Sequence, residues 1–106
     1  MKLEWHTNTK TNVNWQEAMD YCESLGDGWR LPTIEELTSA TDDWNLKDKD
    51  TWFSVKGFLE SSYYWSSTTY ARNNDYAWLV YVHCGYVNYY LKSSSSYVRA
   101  VREVKS

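Results

Sequence analysis

The hydrophobic period changes part-way along the chain, and this change limits the possible folds more than any other feature. From Tyr63 onward the residues read as strands, Tyr63 to Tyr70, Tyr76 to His83, Tyr86 to Leu91 and Tyr97 to Val104, rich in aromatic and branched side chains. Before them the signals are helical. Asn14 reads as an N-cap with Glu17 three residues on, and Val13 with Ala18 can form a hydrophobic staple. Trp15, Ala18, Met19, Cys22 and Leu25 then keep helical spacing until Gly26 supplies the stop.

Trp29 to Pro32 must be extended, because a residue before proline avoids the helical region. Thr33 and Glu36 repeat the capping box directly afterwards, predicting a shorter helix from Ile34 to about Ala40 that buries Ile34 and Leu37. Residues 2 to 6 alternate weakly and predict an entry strand, followed by a polar turn rich in Thr and Asn. Asp42 to Lys56 mixes charge with Trp44, Trp52 and Phe53 without a period, as expected of a loop pinned by aromatics. The 106 residues suit one domain with one core.

Residues 73 to 97 hold six Tyr (76, 81, 86, 89, 90, 97), four Ser (93 to 96) and three Asn (73, 74, 88). Tyr offers a rigid amphipathic ring, while Ser and Asn offer adaptable hydrogen bonds, so the composition is that of a recognition surface. It equally suits a Tyr-rich strand pair covering a small core.

The two central strands predict a hairpin around Cys84-Gly85. A two-residue loop pairs Val82 with Val87 and Val80 with Tyr89 on one face, and His83 with Tyr86, Tyr81 with Asn88 and Leu79 with Tyr90 on the other. In this register Tyr81, Tyr86, Asn88 and Tyr90 are exposed on a common face, with Trp78, Val80, Val82 and Val87 buried. The first position of such a turn has positive φ, where Cys costs about 1 kcal/mol. Either the loop is longer, or Cys84 breaks a local rule for the sake of function or diversification.

Several functions are disfavoured. A net charge of −3 with eleven scattered Lys and Arg leaves no basic footprint for nucleic acid. No stretch approaches the roughly 18 apolar residues of a membrane helix, and Met1 to Trp5 lacks the apolar run of a signal peptide. A virion surface, a cell surface and the cytoplasm all stay open. His6 and His83 have no metal-site or nucleophile-base spacing, so neither a metal nor catalytic residues are expected. Glu35-Glu36 and Asp42-Asp43 read as helix-dipole partners and solvated loop charges. Cys22 lies on the apolar stripe and reads as a buried thiol, not bonded to Cys84.

The runs Trp15 to Cys22 (WQEAMDYC), Gly28 to Leu37 (GWRLPTIEEL), Tyr64 to Thr68 (YWSST), Ala77-Trp78 and Tyr97 to Arg102 (YVRAVR) resemble the C-type-lectin-like domain family typified by the C-terminal domain of the Legionella collagen-like protein. The resemblance covers most of the chain and implies an α+β C-type lectin-like fold: two helices flanking a small antiparallel sheet, with a C-terminal β-hairpin and the termini close together. It implies that Arg30, Arg99 and Arg102 make framework hydrogen bonds, and that Trp15, Trp29, Trp65 and Trp78 are mostly core. Related domains often bond the cysteine matching Cys22 to one where Ala100 stands, a staple missing here. The glutamate-proline-asparagine and tryptophan-asparagine-aspartate motifs of calcium-dependent lectins are absent, so no calcium or other cofactor is expected. The RLPT run is similar to formylglycine-generating enzymes, but the thiol pair or copper they use has no counterpart in a lone Cys84.

The same fold includes the variable proteins of diversity-generating retroelements, in which mutation at template adenines turns Asn codons into pyrimidine-ending codons that exclude Trp, Lys, Gln, Glu and Met. Residues 73 to 97 contain only Trp78 and Lys92 of these types. The resemblance therefore implies residues 1–72 as scaffold, 73–97 as a variable segment and 98–106 as a closing strand. The expected ligand-binding residues are Tyr76, Leu79, Tyr81, His83, Cys84, Tyr86, Asn88, Tyr89, Tyr90, Leu91, Ser93, Ser94 and Ser96. The partner is a protein or other macromolecular surface, and an oligomer is open. A fixed structural or adhesive domain of a phage tail or cell surface is the alternative.

Overall fold

The computed structural model describes residues 2–6, 8–39, 63–81 and 86–104. The expected pinned loop from Asp42 to Lys56, together with Val82, His83, Cys84 and Gly85, lies outside them. The elements run β1 (Lys2–Trp5), β2 (Lys10–Val13), α1 (Trp15–Ser24), a second helix over residues 34–39, β3 (Tyr63–Thr69), β4 (Tyr76–Tyr81), β5 (Tyr86–Leu91), β6 (Ser96–Val98) and β7 (Val101–Val104). The architecture is the α+β arrangement that the lectin-like resemblance implies.

Both helices start as their sequences predict. The Asn14 side chain accepts from Glu17 N–H while Glu17 Oε1 accepts from Asn14 N–H, each at 2.9 Å. Glu36 Oε1 accepts from Thr33 N–H at 2.8 Å, and Thr33 Oγ1 accepts from Glu36 N–H at 3.2 Å. The Glu36 carboxylate also receives both terminal nitrogens of Arg30 at 2.8 Å, joining the extended Trp29–Pro32 segment to the helix that follows.

Strands β2, β6, β3, β4 and β5 lie side by side in that order, and β1 pairs with β7 in a second, two-stranded sheet that brings the chain ends together. Three expectations change. The polar turn after β1 contains a strand, because β2 exposes Lys10, Thr11 and Asn12 and buries only Val13, while positive φ at Asn12 (57°) accompanies a register shift. The closing strand divides at Arg99-Ala100, since β6 pairs with β2 and β3 whereas β7 pairs with β1. The larger sheet is mixed, as β6 runs parallel to β3 through Tyr64 and Tyr97.

Core residues lie on both sides of the larger sheet. On one face Ala77, Leu79 and Trp65 join Ala18 and Cys22 of α1, with Val13, Leu31, Val98 and Ala100. Trp65 donates from Nε1 to the Val13 carbonyl at 3.0 Å. On the opposite face Tyr64 and Val80 pack with Leu37 of the second helix, bordered by Trp5, Ile34 and Tyr97. The three framework arginines bond as expected: Arg30 to Glu36, Arg99 to the His6 carbonyl and Thr9 Oγ1, and Arg102 to Glu4. Cys22 is a free, buried thiol whose pKa desolvation pushes up to about 12.

Candidate binding surface

The β4–β5 hairpin determines which residues face outward. Tyr81 pairs with Tyr86, Val80 with Val87, Leu79 with Asn88, Trp78 with Tyr89, Ala77 with Tyr90 and Tyr76 with Leu91. This is two residues from the expected register, so the expected pairing around a two-residue Cys84-Gly85 loop is corrected. A slip of two preserves the alternation along each strand. Which face is covered is what changes.

Leu79 is fully buried in the α1-side core, and Tyr90 and Tyr63 pack against that core. Tyr63 lies between Tyr81, 4.8 Å between ring centroids, and Tyr90, at 5.2 Å. Tyr63's phenol pKa is raised, chiefly by its hydrogen bond with Tyr90. The expected common exposed face of Tyr81, Tyr86, Asn88 and Tyr90 is therefore corrected: Tyr86 alone is open, at 55 % exposure, and the other three are half-buried beneath α1's side of the sheet. On the opposite face Val80 is buried as expected, but Val87 is exposed and Trp78 half-exposed. Val82 lies outside the described residues.

The second helix covers the Tyr64 and Val80 end of that opposite face. Away from that end lies a four-ring cluster. Tyr70 stacks on Tyr89 at 4.2 Å with planes 6° apart, and Trp78 meets both rings edge-on at 5.3 and 5.4 Å. Tyr76 closes the group edge-on to Tyr89 at 5.7 Å. Tyr89 (39 %), Val87 (37 %) and Leu91 (44 %) remain exposed along β5. Tyr89's phenol pKa is held up mainly by its hydrogen bond with Tyr70, while nearby Arg72 pulls it back.

Beyond β5, the Ser94 N–H donates to the Leu91 carbonyl at 2.9 Å, closing a turn that exposes Ser93 and leaves Ser94 half-buried. Ser96 is buried at the start of β6 opposite Val13 and leaves the expected surface, as does Leu79. His83 and Cys84 lie outside the described residues. Tyr70, Trp78 and Val87 were missed, although alternation outward from Tyr89 and Tyr76 selects Val87 and Trp78 once the register is known. Among the described residues no three His, Cys, Asp or Glu are grouped as a metal site would require.

The Lcl C-terminal domain family matches residues 1–102. The chain is similar to the solved structure of TC14, a C-type lectin from the tunicate Polyandrocarpa misakiensis, with 14 % identity and a TM-score of 0.56 over 98 % of this chain and 100 % of that one. It is also similar to EMS16, an antagonist of the collagen receptor integrin α2β1, with 15 % identity and a TM-score of 0.54 over 92 % and 95 % of the two chains. No curated protein sequence matches significantly.

Proposed function

Since the chain belongs to the Lcl C-terminal domain family and has a lectin-like fold with exposed tyrosines, we propose that it is a non-enzymatic module that recognises a protein or other macromolecular surface as the variable protein of a diversity-generating retroelement. The observation that carries this reading is the end of the β4–β5 sheet that no described element covers. Tyr76, Tyr89 and Leu91, with the neighbouring Trp78 and Val87, form an aromatic and apolar surface held on strands, while Ser93 and Ser94 in the turn that follows supply polar contacts beside it and Tyr86 is exposed on the opposite face. Large rings on a rigid sheet lose little freedom on binding and suit the centre of an interface. Tyr81, Asn88 and Tyr90 contribute from the half-buried face, and His83 and Cys84 belong to the same segment.

The two residues that adenine-directed mutation cannot generate support the reading, because both have scaffold contacts. Trp78 packs edge-on against Tyr70, and Lys92 places its ammonium 4.1 Å from the Trp15 ring. The nucleotide sequence tests the proposal. A near-copy of the coding region for residues 73–97 is expected beside a reverse transcriptase gene, with adenines at the positions that differ and unchanged codons for Trp78 and Lys92. If no such copy exists, the face belongs to a fixed adhesive or structural domain instead.

A further inference from the structure

The outer edge of β5 is the feature that this function does not use. Among the described residues β5 ends the five-stranded order, with β4 as its only neighbour. Tyr89 N–H donates to its neighbour's Asn88 Oδ1 at 2.8 Å, whereas Lys92 N–H donates to the Asp75 carbonyl at 2.8 Å. In an antiparallel pair these directions alternate, so the even positions bond to β4 and the backbone groups of Val87, Tyr89 and Leu91 point away from it. The strand, YVNYYL, contains no charge, proline or glycine, the devices by which sheet edges usually avoid pairing. Asn88 is its one guard, since its side chain occupies the central outward N–H.

We propose that β5 pairs antiparallel with β5 of a second copy of this chain about a two-fold axis at Tyr89, and that Asn88 limits how tightly it does so. The strand fits itself in this register. Val87 lies opposite Leu91 of the second copy, Tyr89 opposite its own equivalent, and Asn88 opposite Tyr90, so apolar meets apolar on one face and no like charges face each other. The Leu91 carbonyl already accepts from Ser94 but keeps a second lone pair for Val87 N–H. Pairing would place two Tyr89 clusters side by side on one continuous sheet. The inference stands independently of any ligand for that face.

Sedimentation equilibrium of the full chain over about a hundredfold range of concentration tests it. The wild type is expected to pass from monomer to dimer. Asn88→Thr removes the guard but keeps a good strand residue, and should tighten the dimer about tenfold, as expected when a further backbone bond becomes available in each copy. Tyr89→Pro removes an N–H that β4 does not use, so it should remain folded by far-ultraviolet circular dichroism and stay monomeric. Tyr89→Lys, which sets two ammonium groups opposite each other across the axis, should do the same without a backbone change. A wild type that is monomeric throughout the range overturns the proposal, as do dimers that survive both Tyr89 substitutions. A dimer no tighter in Asn88→Thr removes Asn88 from it.

Discussion

Trp65 and Tyr89 are both aromatic strand residues on the same sheet, yet their surroundings assign them opposite tasks. Trp65 is fully buried and its Nε1 donates to the Val13 carbonyl, so Trp65→Ala leaves both a large cavity and an unmet acceptor. It should destabilise by about 3–5 kcal/mol in urea unfolding. Tyr89 is partly exposed, and Tyr89→Ala loses chiefly its stack on Tyr70, a change of about 1 kcal/mol. Equal losses would place Tyr89 in the core. Glu36 is a second residue with a definite signature. Its pKa is lowered mainly by the hydrogen bonds from Arg30, with the Thr33 backbone assisting. A carboxylate depressed in the folded state adds stability above its unfolded pKa of about 4.3 and loses it as pH falls through the folded value. Glu36→Gln should therefore be less stable at neutral pH by about 1 kcal/mol, a figure already reduced because Arg30 is partly exposed, and the gap should close in acid. A gap that persists well below pH 4 would assign the loss to packing.

At the scale of elements, what could be read from the sequence is what local chemistry encodes. Two capping boxes, a proline and a glycine stop specify α1, the extended segment and the second helix, because each signal acts within a few residues of its source. The strands of the second half were also legible from their branched and aromatic composition. Register was not, because it depends on residues 82–85, and a chain of alternating Tyr and Val pairs well in two positions. Nor was the covered face. Outward Tyr and inward Val is the usual inference from side-chain polarity, but here α1 packs on the face containing Leu79 and Tyr90, and the second helix takes only the Val80 end of the other. The aromatic cluster thus lies on the part of that face away from Leu37 and Ile34, a placement that no window of sequence around Tyr89 records. Strand β2 escaped for a related reason: three exposed polar residues carry no apolar period, and backbone pairing with β6 defines the strand.

Over the whole molecule, stability depends on contacts between distant parts of the chain. Strand β1 pairs with β7, Arg102 bonds Glu4 while stacking over Trp29 at 4.4 Å, and Arg99 reaches from the end of β6 to the His6 carbonyl. These contacts tie the first residues to the last without a covalent link. Cys22 and Ala100 occupy the same core cluster, both essentially inaccessible to solvent, so α1 and the β6–β7 junction already meet where related domains carry a disulfide. Ala100→Cys should therefore form a bond with Cys22 on mild oxidation. Closing the loop from 22 to 100 removes unfolded-state entropy worth about 4 kcal/mol, offset by any strain in seating a larger side chain at a packed site. The oxidised variant should melt several degrees above its own reduced form, the comparison that isolates the crosslink from the substitution. Thiol titration under denaturing conditions checks that the bond has formed. Three free thiols after oxidation, where the bonded form keeps only that of Cys84, or an oxidised form melting below the reduced one, would mean that the two positions do not meet the geometry, roughly 7 Å or less between Cα atoms, that an unstrained disulfide requires. The wild type would then achieve this closure through packing that no crosslink could replace.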